Sequence, residues 1–75
     1  MIPAQCRAAR ALIDMHIVEL SSAAVVPATA IFDLECGVAA PSESNLQALR
    51  KALEWAGVEF IDGDRPGVRL SKQPK

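Results

Sequence analysis

Residues 20–32 form a stretch of 13 uncharged residues that is interrupted by one proline, Pro27. The stretch is shorter than the ~20 apolar residues with which a helix crosses a bilayer. Pro27 also drives Val26 out of helical geometry. The chain must therefore turn at Val25-Val26-Pro27, with one short helix at 17–24 and another at 28–36, since proline is tolerated where a helix starts. Gly37 is the stop signal of the second. A 75-residue domain hides only ~60% of the surface its unfolded chain exposes. Its core is thin, and a hydrophobic content of 51% leaves apolar side chains over. That composition excludes a disordered chain.

Upstream, Ala8, Ala9, Leu12, Ile13 and Met15 alternate with Arg7, Arg10 and Asp14, which predicts an amphipathic helix over 4–15. Downstream, Ser42 is placed as an N-cap with Glu43 in the first turn. Leu46, Leu49, Leu53 and Ala56 then recur at helical spacing until Gly57. The period changes after that: 58–61 and 67–70 carry short apolar runs around Asp62-Gly63-Asp64-Arg65-Pro66, the pattern of a β-hairpin. The fold class is mainly α, with four helices in 1–57, a short C-terminal β-hairpin in 58–70 and a frayed tail at 71–75. An isolated hairpin is marginal, so this one must lie on the helices or pair with another chain.

Enzyme chemistry has little to stand on. General acid–base or nucleophilic work needs convergent groups, and the chain offers one histidine, His16, and two distant cysteines, Cys6 and Cys36. Their spacing matches no zinc pattern, and the glycines form no phosphate-binding loop. No metal and no cofactor are expected, and His16 is read as a capping or surface residue. The N-terminus has no basic region followed by an apolar run, so no secretory signal is read, and neither is a membrane partner. The expected location is cytoplasmic, with both cysteines reduced and acting as small buried or half-buried thiols.

The order of helix, short helix, tight turn, helix, loop and helix carries specific residues. Arg7-Ala8-Ala9-Arg10 opens it, Glu19-Leu20 is followed by Ala24, and Val26 occupies the turn. Ile31-x-x-Leu34-Glu35-x-Gly37 precedes Pro41, and Leu46-x-x-Leu49-x-x-x-Leu53 lies in the last helix. Across residues 7–57 this resembles the phage-repressor (XRE) type helix-turn-helix family. The resemblance implies a lambda-repressor-like DNA-binding domain whose DNA-facing positions are Ile17, Pro27, Ala28, Thr29, Ala30 and Asp33. It also implies a structural ion pair between Arg10 and Glu35. Leu20, Val26, Ile31 and Leu34 are expected to close the core over the fourth helix.

Charge departs from the family's pattern. No Lys or Arg lies between Arg10 and Arg50, whereas Asp14, Glu19, Asp33, Glu35 and Glu43 all do. Cations that neutralise phosphates dominate affinity for duplex DNA. The candidates for that role here, Arg65, Arg69 and Lys72, all lie late in the chain. Ile17, Val18, Phe32 and Val38 are apolar where the family is usually polar. Together with Trp55 they make a candidate partner surface. Alternatively some fold into a shifted core, and Trp55 covers Phe60 or faces a second copy. Val25 replaces the family's turn glycine, so the turn is either strained or remodelled. Two functions follow. One is a regulator with an eroded DNA-reading face that acts through contact with another regulatory protein or with itself. The other is an ordinary sequence-specific DNA-binding regulator acting as a homodimer.

Overall fold

Pro3 opens the first helix, α1 (Pro3–Leu12), at a position where its missing N–H is no loss. The computed structural model describes residues 1–71. The side-chain oxygen of Gln5 accepts from the Ile2 N–H at 3.0 Å and secures that end. α1 is shorter than the expected 4–15. Asp14 adopts a left-handed conformation, φ 53°, which ends the helical path. Met15 thus lies in the connection, packed against the core, with its carbonyl held by Arg10 Nη1 at 3.0 Å.

α2 (Ile17–Ala24) starts where Glu19 Oε1 accepts the His16 N–H at 2.8 Å. It ends on Val25 at φ 56°, ψ 49°. The turn has kept the left-handed geometry that suits glycine and has placed a β-branched residue in it. The chain then swings through 120° into α3 (Ala28–Glu35). The Ser21 hydroxyl donates to the Val26 carbonyl at 2.6 Å, and the Val26 N–H to the Ser21 carbonyl at 3.1 Å. These bonds and the burial of Val26 hold Val25 in place although it is itself 87% exposed. A left-handed L-residue costs about 1–2 kcal/mol, and Val25 has little packing to lose. Val25→Asn is therefore expected to raise stability by about 1 kcal/mol, measured as a higher urea midpoint at unchanged slope.

α4 (Glu43–Trp55) has its N-cap where the sequence places it: Ser42 Oγ accepts the Asn45 N–H at 3.1 Å. β1 (Val58–Ile61) and β2 (Gly67–Leu70) pair antiparallel, with Val58 opposite Leu70 and Ile61 opposite Gly67. The hairpin lies on the helices of its own chain, β2 against α1 and β1 against α4. Gln5, itself buried, fastens it: Nε2 donates to the carbonyls of Ile61 (3.0 Å) and Gly67 (3.1 Å). The core runs from Cys6 and Ala9 through Leu20 and Ile31 to Leu49, Leu53 and the hairpin's Val58. Val26 and Leu34 join it as the sequence anticipates, and the hairpin's Phe60 completes it. Among the described residues no single helix is long and apolar enough to cross a membrane.

Candidate functional site

The Arg10–Glu35 pair sets the geometry of the face formed by α2 and α3. Arg10 projects from α1 and grips the Glu35 carboxylate with two bonds, Nε to Oε2 at 2.7 Å and Nη2 to Oε1 at 2.6 Å. The Cys6 thiol donates to the same Oε2 at 3.1 Å, and Arg7 Nη1 donates to the Glu35 backbone carbonyl. Glu35 is buried, and burial alone would raise its pKa. The bonds from Arg10 and Cys6, with the charges of both arginines, bring it below the ordinary carboxylate range instead. Burial, then the adjacent Glu35 carboxylate, pushes the Cys6 thiol up to about 12.

Cys36 differs from the buried or half-buried state expected of it. It caps the C-terminus of α3, where the chain leaves the helix at Gly37, and it is exposed. An alkylating reagent near pH 8 should therefore modify Cys36 promptly and Cys6 only on unfolding, read by mass spectrometry. A thiol whose folded pKa is raised stabilises fully below its unfolded value. Stability should thus fall as pH rises from about 9 to about 12. Cys6→Ala should remove that alkaline slope in urea titrations at successive pH values.

A groove of about 650 Å³ opens over this network, between the N-terminal turn of α2 and the C-terminal half of α3. Ile17, Val18 and Phe32 supply its apolar walls, with Arg7, His16, Glu19 and Cys36 around them. Val18 is 66% exposed and Phe32 59%. Ile17 is half-buried and packs against the core from the same wall. The apolar residues singled out in the sequence thus divide. Ile17, Val18 and Phe32 come together, with Ile17 also serving the core. Val38 is exposed elsewhere, in a separate hollow that includes Ile2, Pro3 and Leu46. Trp55, at the end of α4, is 71% exposed. The ring face of Phe60 is taken by the Arg50 guanidinium, 4.9 Å from its centroid. Sequence reasoning left Cys36 and Glu19 out of the site. The signal for Cys36 was its spacing of four from Phe32, which puts both on one helix face.

Of the DNA-facing positions, Pro27 and Thr29 are exposed, Ala28 and Asp33 are half-covered, and Ala30 packs against the core. Two of the late cations, Arg50 and Arg69, are engaged in ion pairs. Arg69 forks onto Glu59, its cross-strand neighbour, at 2.9 and 3.1 Å. Arg50 binds Glu54 at 3.1 Å and Asp62 at 3.0 Å. The Arg69 guanidinium thus already has a matching carboxylate partner, in an exposed pair. Arg65 is exposed in the hairpin loop with no ion pair among the described residues, and Lys72 lies outside them. Neither the protein-family models nor the curated proteins searched contain a match to this chain.

Proposed function

We propose that this is a small regulatory protein on a lambda-repressor-like helix-turn-helix scaffold that works mainly by protein contact, in a cytoplasmic setting. Two helices at 90–120° across a turn of three or four residues are the frame of a helix-turn-helix. The 120° swing over Val25-Val26-Pro27 fits that frame, as does the clamp from Arg10 to Glu35. The observation that carries the reading is the chemistry of α3's outward face: Thr29, Phe32, Asp33 and Cys36 supply one carboxylate, a ring and no cation. A groove-reading helix in contact with DNA needs polar base contacts and cations on the phosphates around it. This face supplies an exposed ring and a negative charge.

The deciding experiment is fluorescence anisotropy of a labelled random-sequence duplex pool with the full chain, at ~50 and ~200 mM salt. No binding at either salt is expected. Saturable binding that weakens steeply with salt would overturn the reading in favour of an ordinary DNA-binding homodimer. One observation favours that second reading: exposed Thr29 at the start of α3, with Arg65 in the loop forming no ion pair among the described residues. If it holds, Arg65→Ala should weaken binding to all sequences alike.

A further inference from the structure

We infer that the Val18–Phe32 groove receives a cationic amphipathic helix of a partner protein. The inference rests on the protein-contact reading above and specifies that partner's chemistry. Shape is the first argument. The groove is a concavity of about 650 Å³ with apolar walls from two different helices, which suits a helix that lays a stripe of i, i+3 and i+4 apolar residues into it.

Charge decides what flanks that stripe. Of the cations beside the groove, Arg10 is neutralised by the Glu35 carboxylate, whereas Arg7 donates to the Glu35 backbone carbonyl and keeps its charge. Among the acids, Glu19 and Asp14 are exposed and Asp33 is half-exposed. Glu19 is exposed and bonds only the His16 backbone N–H. Asp33 directly follows Phe32, Asp14 precedes His16 by two residues, and neither forms an ion pair among the described residues. Three carboxylates with no ion pair among the described residues, Glu19, Asp33 and Asp14, stand against the single uncompensated charge of Arg7. They leave this face net negative and favour a partner that carries Lys or Arg beside its apolar stripe. The same balance disfavours a second copy. A two-fold contact is self-complementary and would set these carboxylates against their own equivalents.

The test uses the full chain and a labelled helical peptide of ~18 residues with Leu at i, i+3, i+4 and i+7 and Lys elsewhere. A control peptide carries Glu in place of Lys. The Lys peptide should bind and the Glu peptide should not. Phe32→Ser should weaken binding about tenfold or more. Asp33→Lys and Glu19→Gln should each weaken it severalfold at low salt and less at high salt, Gln being chosen to keep the bond to His16. Val38→Ser, in the other hollow, should change nothing, and thermal melts should show every variant folded. The inference is overturned if neither peptide binds, if both bind equally, or if Phe32→Ser leaves binding intact. It is also overturned if the chain alone doubles in mass with concentration and Phe32→Ser abolishes that. Salt-sensitive duplex binding would overturn the protein-contact reading itself, so the two failures are told apart.

Discussion

Arg10→Ala is expected to cost about 3–5 kcal/mol, because it leaves the Glu35 carboxylate buried with its main partner gone. Two charge-assisted bonds of 2.6 and 2.7 Å disappear together, and only the Cys6 thiol still donates to that side chain. The Met15 carbonyl loses its donor in the same change. A chain of 75 residues has a total stability of roughly 4–11 kcal/mol. The variant should therefore populate unfolded chain near room temperature, seen as a collapsed urea midpoint and a low-temperature melt by circular dichroism. Replacing both partners, Arg10→Met with Glu35→Leu, should recover most of the loss, because it removes the uncompensated charge. The pair also sets the acid limit. Glu35 has a lowered folded pKa, so its stabilisation is complete above the ordinary carboxylate value and is lost as pH falls through the lowered one. Acid unfolding should begin below the usual glutamate range, and this branch should vanish in Glu35→Gln.

Gln5→Ala is expected to cost about 2–3 kcal/mol, with the loss concentrated in the hairpin. Gln5 Nε2 serves two carbonyls at once, Ile61 and Gly67, at facing ends of the two strands, while Oε1 serves Ile2. Alanine strips these groups of their partner and opens a gap beside Cys6. A two-stranded hairpin does not persist unsupported in water. Amide hydrogens of β1 and β2 should thus exchange much faster, while those of α4 should speed up only in proportion to the global loss of stability. Gln5→Glu sharpens the test. It keeps the acceptor for Ile2 but turns a carboxylate oxygen toward two carbonyls, and it should destabilise the hairpin at least as much as alanine at neutral pH.

The sequence carried the element order because its punctuation is chemical. Pro27, Gly37, Ser42 and Gly57 each act within a few residues, and the helices and hairpin lie close to the positions they predict. The end of α1 was hidden because Met15 fits the apolar period while Asp14 breaks the backbone path, and no periodicity reports a dihedral angle. Val25 is the converse case. Its identity argues against a left-handed turn, yet the bonds between Ser21 and Val26 impose one. At the candidate site, the apolar character of Val18 and Phe32 was legible, but their meeting in one groove was not, since it depends on the swing between α2 and α3. The commitments of Arg50 and Arg69 to hairpin acids were equally hidden. The Arg50–Glu54 pair follows helical i,i+4 spacing, but the bonds of Arg50 to Asp62 and of Arg69 to Glu59 form only because the hairpin folds as it does.

The reach of Gln5 has a consequence for biosynthesis. Its two hairpin bonds span 56 and 62 residues of sequence. A nascent chain that has released α1, α2 and α3 from the ribosome still lacks both hairpin carbonyls to which Gln5 Nε2 donates, and water occupies their place. Helical segments can form as they emerge, but the N-terminal helix reaches its final surroundings only after Gly67 is outside the exit tunnel. The first helix should therefore lock into place only in a late event, once β2 has emerged to complete its hydrogen bonds.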